Sequence, residues 1–563
     1  MSVSFVRGNH RLLSCAAAVA LAALGWSGAP PAEYTQLVLL PMADLKSVTI
    51  PPGLPDVVVD DAGSVRVGRE SRPARLVRGP QRIVRSLPVP LGGARLELAL
   101  AAIRRTATLR VLADDVEIAR VKAPPGVWTP AAIELPPSIR PVRIVEELTT
   151  SPEGLVFWSD DRLLRDVPPR RRPDVIVVSL DTVRPDYLTP YVKSEVTTPA
   201  LAAFATEATR FDQAISVSSW TLPAHDAVFT GSYPGIDGNR IDASRITLAE
   251  RFASAGYDTF GVSGGPFVDS AFGFERGFTS YLDSIPGKHA TETTTWAIDR
   301  IGHVPAATPV FAFLNYFDAH EPNTGFSTLE WFQMNSREFH WTPEAVARVR
   351  AAYSHDVASL DREIGRLFDG IRRTRDWSDT VVIVFGDHGQ LLGERGMIGH
   401  ALRLDEELIH VPLLVKPAGG LRLPNHYGEQ VQLTDVYPLA LELAGLPPEQ
   451  EASLIDCISR SLPIRPLTFA RVHHPVTPDL LDSSQWQSES LQLARTDTLR
   501  AMRDADGHLT LTTIGDPGHA LDPATVPSLF QDLDAFERGS QPGAAEHVRR
   551  DVLKRLRALG YIR

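Results

Sequence analysis

Asp174-Val-Ile-Val-Val-Ser-Leu-Asp181 and Thr380-Val-Val-Ile-Val-Phe-Gly-Asp-His-Gly389 decide the reading of this chain. Each is a short, unbroken, largely β-branched run that stops at an acidic residue. Such runs suit strands buried on both faces of a parallel sheet, and sheets of that kind collect ligands at the carboxyl ends of their strands. A carboxylate placed there is costly unless a cation meets it. Between the two runs lies Thr221-Leu222-Pro223, with Pro223 to Phe229 reading as a helix that stops at Thr230-Gly231. A hydroxyl at a helix N-terminus sits where amide donors and the helix dipole favour an anion.

The rest of the sequence divides around these runs. The 563 residues allow several domains, and 43% hydrophobic content is ordinary for a folded protein. A net charge of -11 argues against a nucleic-acid binder, which needs a basic face. Arg7, His10 and Arg11 precede an apolar stretch from Leu12 to Leu24, then small residues. That order reads as a signal peptide or anchor over residues 1–32, so the protein is expected to be exported: periplasmic, secreted, or held facing outward by the anchor. Membrane contact is expected only through that segment. With the segment removed, Cys457 is the remaining cysteine, so a metal must rely on oxygen and imidazole.

Residues 35–167 are a succession of short strand-like runs, including a hairpin across Asp114-Asp115, and read as an antiparallel β-sandwich. Trp128 or Trp158 would have to be exposed there to bind a sugar; core positions are the ordinary alternative. Pro168 to Pro173 forms a stiff basic linker. From 174 to 460 strands and helices alternate, predicting an α/β sheet covered by helices on both faces. Thr198-Pro199 should open a helix to about Arg210, Thr247 with Glu250 forms a capping box, and a long amphipathic helix is expected from about Thr342 to Ile371. Residues 461–563 read as a small α+β lobe with a hairpin at Asp504 to Gly507 and a final helix from about Ala544 to Leu559.

Asp181, Asp387 and His388 are hard or borderline donors, suited to a divalent cation; the plainer reading makes them a helix cap and an ordinary loop. Likewise, Thr221 before proline is a common N-cap. The motifs together resemble the sulfatase family of the alkaline phosphatase superfamily. They are Asp181-Thr-Val-Arg-Pro-Asp186, Trp220-Thr-Leu-Pro-Ala-His225 with Phe229-Thr-Gly231, Gly273 to Phe278, Tyr316-Phe-Asp-Ala-His-Glu-Pro322, Gly386-Asp-His-Gly389, Gly399-His400 and Val411-Pro-Leu413. The resemblance covers roughly Asp174 to Gly445.

It implies an alkaline-phosphatase-like sheet and one divalent metal held by Asp181, Asp387 and His388, with Thr221 as both ligand and nucleophile. His225, His320 and His400 become the accompanying catalytic candidates. His320 matches a histidine that contacts the transferred group, and His400 falls where many sulfatases carry a lysine that steadies or protonates the departing oxygen. Two departures stand out. Sulfatases make formylglycine in a Cys/Ser-x-Pro-x-Arg motif, whereas this chain has Thr221, which cannot form that aldehyde, and His225 in place of arginine. Imidazole at position 388 favours manganese or zinc, with calcium the weaker fit. Asp318 and His320 are two residues apart, not the four expected of two-zinc relatives, so one metal is expected. Arg184 with Asp186 reads as an ion pair fixing the first turn, and Arg403 as a solvated helix-start residue.

These residues imply a hydrolase of sulfate or phosphate esters acting on a small molecule or glycan. A phosphoethanolamine- or phosphoglycerol-type transferase is one alternative, since threonine nucleophiles occur there. A silent member binding a glycan or partner through its sandwich is the other.

Overall fold

The computed structural model describes residues 38–39, 57–59, 64–87, 94–135, 142–152, 154–159, 162–165, 172–192, 197–235, 240–283, 289–336, 338–401, 403–447, 453–472, 491–516 and 518–539. The segment 1–32, the residues 168–171 of the linker and the expected helix at 544–559 lie outside them.

The main sheet has eight principal strands: β1 (Asp174–Leu180), β2 (Thr209–Ile215), β3 (Asp258–Val262), β4 (Ser280–Leu282), β5 (Val310–Tyr316), β6 (Thr380–Gly386), β7 (Leu413–Lys416) and β8 (His426–Gln432). Five run parallel in the spatial order β4, β3, β5, β1, β6; β7 pairs antiparallel with β6 and β2, and β2 pairs parallel with β8. Successive side chains of β1 serve opposite faces. Val175 and Val177 join one apolar cluster, while Ile176, Val178 and Leu180 join the other. Every residue of β1, β5 and β6 is buried, which is why these strands read as continuous apolar runs.

Helices cover both faces. They include α1 (Pro199–Ala205), α2 (Thr221–Thr230), α3 (Leu248–Ser254), α4 (Ala290–His303) and α5 (Pro343–Thr374). The Thr247–Glu250 capping box forms, and Gly256 takes φ +88° just after α3. At α1 the sequence reading fails twice. The Thr198 hydroxyl does not cap the helix but accepts from the Thr189 amide (2.8 Å), and Asp361 receives the amides of Ala200 and Leu201 (2.9 Å each). The helix also stops at Ala205, because the following residues pair into β2 between β7 and β8; tertiary pairing outweighs local helix preference.

The N-terminal strands form the expected sandwich. One antiparallel sheet runs Gln81–Leu87, Val142–Thr149, Ala107–Ala113, Val116–Ala123; the other includes Glu70–Arg78, Leu155–Ser159, Ala94–Ala102 and Thr129–Leu135. Leu109 and Val111 alternate inward against Leu96, Leu98 and Leu100. Trp158 is fully buried and Trp128 is buried with its indole donating to the Glu70 carbonyl (2.9 Å), so both are core residues and not an exposed sugar platform. Strand Glu70–Arg78 continues past the sandwich to pair with β4 through Ser71–Tyr281 and Glu70–Leu282. The C-terminal strands, Thr468–Val472 to Ala520–Leu521, form an antiparallel sheet covered by the helix Pro527–Gly539.

At the amino end of the sheet, Arg375 makes two bonds to Asp174 (2.7 and 2.8 Å) and reaches the carbonyls of Val304, Pro305 and Thr308, while Asp174 accepts the Val310 amide. Arg375→Met leaves Asp174 as a buried charge without its partner. The expected loss is about 3–5 kcal/mol of unfolding free energy in denaturant titration. Adding Asp174→Asn should recover part of that loss; no recovery would show that the packing of Arg375, and not the pair, carries the effect.

Candidate active site

The register of β1 on β6 builds the centre of the site. Leu180 lies opposite Gly386, so the next residue of each strand, Asp181 and Asp387, emerges side by side at the carboxyl end of the sheet. Both are completely buried. Asp387 Oδ1 accepts the amides of Thr182 (3.1 Å) and His388 (2.8 Å), but its Oδ2 and both Asp181 carboxylate oxygens have no hydrogen-bond partner. Thr221 and Asn315 lie near enough to favour the charged form of Asp181 without bonding geometry.

Local backbone fixes these positions. Thr182 adopts φ +60°, an uncommon conformation for a β-branched residue. Its hydroxyl donates to the Asp181 carbonyl (2.7 Å), and its own carbonyl accepts from the Tyr353 hydroxyl on α5 (2.8 Å). That strained turn aims the Thr182 amide at Asp387. Gly389 is equally constrained, for a Cβ there would sit 1.9 Å from the Glu407 carbonyl oxygen.

His388 Nδ1 donates to the Gly389 carbonyl (2.9 Å), which makes Nδ1 the protonated nitrogen and leaves the Nε2 lone pair facing the carboxylates. Nε2 lies 3.4 Å from Asp387 Oδ2, 3.9 Å from Asp181 Oδ1 and 3.2 Å from Thr221 Oγ. Thr221 is the first residue of α2, after Trp220 as N-cap, and is itself buried. Four donors thus converge without a counter-charge among them. The three residues Asp181, Asp387 and His388 could hold a cation, and the orphaned carboxylate oxygens fit one.

His225 does not belong to the reacting set expected of it. It lies one helical turn below Thr221, fully buried, with Nε2 2.7 Å from Ser179 Oγ and Nδ1 2.8 Å from the Thr221 carbonyl and 3.5 Å from Asp387 Oδ2. Phe274, Phe313 and Phe385 surround its ring. With both nitrogens engaged, His225 positions α2 and Asp387 and is not placed to touch substrate.

His320 and His400 do stand beside the centre. The His400 ring is 4.6 Å from that of His388 and 4.8 Å from that of His320. Between them is Glu321, which the sequence reading passed over although it adjoins His320; its Oε1 is 2.9 Å from His400 Nδ1. Burial opposes its charge, yet the two histidines bring its carboxyl down to about 2. Burial lowers His400, but the charges of Glu321 and Asp387 leave it raised overall. Burial takes His320 down to about 3. Asp318 turns away, its Oδ1 accepting the Ala290 amide (3.1 Å) at the start of α4. Arg184 pairs with Asp186 (2.7 Å) and Glu394 (3.0 Å), so it holds the turn, and Arg403 pairs with Asp405.

Comparison with known proteins agrees with this layout. Residues 173–446 match the family described as Sulfatase. A choline-sulfatase of Rhizobium meliloti (strain 1021) is 34% identical over 123 residues, 22% of this chain and 23% of that protein. The chain spans about a fifth to a third of the length of the first curated relatives it matches. Among solved structures, a putative sulfatase from Bacteroides thetaiotaomicron VPI-5482 superposes with TM-score 0.53 at 15% identity, covering 65% of this chain and 91% of that one. A phosphonate monoester hydrolase from Silicibacter pomeroyi gives 0.52 at 19%, covering 65% and 94%. These likenesses establish the α/β fold.

Burial pushes the Asp181 carboxyl well above its ordinary range, with the charges of Asp387 and Glu321 adding to the effect; burial raises Asp387 as well. An acid whose pKa is raised on folding binds more protons in the folded state between the two pKa values, so stability falls as pH rises through that window. In chelator, the melting temperature should therefore decline from pH 5 towards pH 8. Added manganese or zinc should flatten that decline, because a bound cation replaces the protons. Parallel pH curves with and without cation would rule out these carboxylates as the binding group.

Proposed function

We propose, taking residues 173–446 as a sulfatase domain, that this protein is a metal-dependent hydrolase of sulfate or phosphate esters with Thr221 as its nucleophile. The supporting observation is the convergence of Thr221 Oγ with Asp181, Asp387 and His388 at the N-terminus of α2. A divalent cation held by Asp181, Asp387, His388 and Thr221 would lower the hydroxyl pKa and polarise an ester oxygen. The imidazole and carboxylate donors favour manganese or zinc over calcium.

Thr221 would give its hydroxyl proton to solvent water as Oγ attacks sulfur or phosphorus. The bond to the alcohol oxygen breaks, and its electron pair goes to that oxygen. His400, kept protonated beside Glu321, supplies the proton the departing alcohol needs. His320 stacks on Phe317 (4.1 Å between centroids) and faces the transferred group as a neutral imidazole. The free amides at the start of α2 stabilise the oxyanion. A threonine ester has no hemiacetal through which to collapse, so water must attack it to release the acid. The reading of residues 1–32 as an export segment places this activity outside the cytoplasm. Among the described residues no helix is long and apolar enough to cross a membrane.

The test is turnover of purified protein loaded separately with calcium, manganese and zinc, on matched aryl sulfate, phosphate monoester and phosphodiester substrates. Thr221→Ala should lower kcat at least about a thousandfold, while Thr221→Ser keeps measurable turnover. Activity that Thr221→Ala leaves intact rejects the nucleophile, and release of product only onto an added alcohol, never water, assigns a transferase. His225→Asn should reduce kcat by roughly tenfold to a hundredfold through loss of alignment, with little change in KM. A loss as large as that of Thr221→Ala would return His225 to the reacting set.

A further inference from the structure

The loops that carry the candidate site residues are held by one side of α5. Arg350, Tyr353 and Asp356 follow at three-residue spacing, so their side chains lie along the same side of the helix. Each reaches a different loop. Arg350 donates to the Leu392 carbonyl (3.3 Å) and meets Glu394 (3.2 Å), which also binds Arg184 (3.0 Å). The Tyr353 hydroxyl donates to the Thr182 carbonyl (2.8 Å) and accepts the Arg184 amide (3.0 Å). One Asp356 oxygen accepts the Asn323 side-chain amide and the Thr324 backbone amide (3.0 Å each), and the other accepts the Thr324 hydroxyl.

Two of these arms end on different halves of the site. Thr182 holds φ +60°, and its amide bonds Asp387 Oδ1 (3.1 Å) only while that uncommon backbone is kept. Tyr353 is fully buried, Tyr187 packs edge-on against its ring (4.8 Å between centroids), and burial pushes its phenol well up, so the donor proton is retained. Asp356 acts instead on the loop after β5. The Asn323 amide that it fixes also donates to the Ala319 carbonyl (3.0 Å), which closes residues 319–323 around His320 and Glu321. A longer bond from the Gln390 amide to Asn323 (3.2 Å) joins the two halves, so a disturbance of one reaches the other weakly.

We propose that Tyr353 and Asp356 are positioning residues with separate tasks: the Tyr353 hydroxyl sets the affinity of Asp181, Asp387 and His388 for a cation, and the Asp356 carboxylate sets the placement of His320 against the transferred group. The proposal deepens the hydrolase reading and rests on it for the cation and the ester. Without its hydroxyl, Tyr353→Phe releases the Thr182 carbonyl, the turn relaxes, and Asp387 loses one of the two amides that orient it. A cation that does bind still meets the same donors, so turnover at saturating cation survives. Asp356→Asn keeps the shape of the side chain but turns an amide NH2 towards the donors of Asn323 and Thr324. That loosens residues 319–323 and leaves the strand ends as they are.

The experiment is calorimetric titration of the full-length, chelator-stripped protein with manganese or zinc alone, together with kcat and KM on the aryl ester that wild type turns over. Tyr353→Phe should weaken cation binding about tenfold to a hundredfold and keep kcat at saturating cation within about threefold. Asp356→Asn should do the reverse, holding cation affinity within about threefold while kcat falls about tenfold to a hundredfold and KM changes little. Thr324→Val, at an exposed residue, removes one of the Asp356 bonds and should act in the same direction to a smaller extent. Asp361→Asn is the control for stability, because it loses the amides of Ala200 and Leu201 on α1 and touches no site loop; it should lower the melting temperature and change neither constant. Adding Thr182→Gly to Tyr353→Phe should restore part of the affinity, since glycine holds a positive φ without the clamp. Unchanged affinity in Tyr353→Phe or unchanged kcat in Asp356→Asn, in a wild type that binds a cation and turns over ester, overturns the proposal alone. So does equal loss of both constants in both variants, which identifies general loosening of α5. A wild type that neither binds a cation nor turns over ester rejects the hydrolase reading, and the proposal with it.

Discussion

The parallel register that sets Leu180 against Gly386 is the constraint on which the rest of the site depends. It brings Asp181 and Asp387 out together where both faces of the sheet are already covered, so water cannot separate their charges. In such a place two carboxylates repel each other strongly and lack solvent to compensate. The surrounding backbone then holds them there. Thr182 takes a strained φ, Tyr353 clamps its carbonyl, the amides of Thr182 and His388 bind one Asp387 oxygen, and Gly389 gives way to the Glu407 carbonyl. All of these leave the inward oxygens unpaired, which is the condition for a cation site.

The elements that positioned the site were legible because burial on both faces writes itself as an unbroken apolar run. Asp174–Leu180, Val310–Tyr316 and Thr380–Gly386 were read with little or no error, as was the hydroxyl at the start of α2. What the sequence hid was relational. Glu321 is one acidic residue among many until the fold brings His400, distant in sequence, against it. Thr182 and Tyr353 act through backbone atoms, which no side-chain pattern reveals. The start of β2, Thr209 and Arg210, reads as the end of a helix because the strand's pairing with β7 and β8 is set by segments two hundred residues later. His225 carried a catalytic identity by motif position, but position does not show which way a ring faces.

The sandwich is joined to the edge of the main sheet through a shared strand and hydrogen bonds. Strand Glu70–Arg78 belongs to the sandwich at one end and to the edge of the main sheet at the other. Arg66 joins Asp283 (3.2 Å) and Ser280 joins Glu70 (2.6 Å) across the same seam. An edge strand of the main sheet, otherwise open to pairing with another chain, is covered in this way. The sandwich thus completes the sheet, a structural role that its buried tryptophans share.

Replacing cationic side chains by histidines changes what sets the charge of the pocket. Lysine and arginine bring a fixed positive charge, whereas an imidazole contributes a proton or a lone pair according to its partner. At His388 a backbone carbonyl holds Nδ1 and leaves Nε2 towards the carboxylates, at His320 a backbone carbonyl holds Nδ1, and at His225 both nitrogens are spent on the scaffold. His400, beside Glu321, sits where the carboxylate favours its proton. In the proposed reading, the sign of the potential met by an anionic ester would then depend on a cation held by Asp181, Asp387 and His388. A threonine nucleophile fits such a pocket. As the proposed nucleophile it would need a bound cation to lose its proton, and the charge attracting the substrate and the activation of the attacking residue would then have a common origin.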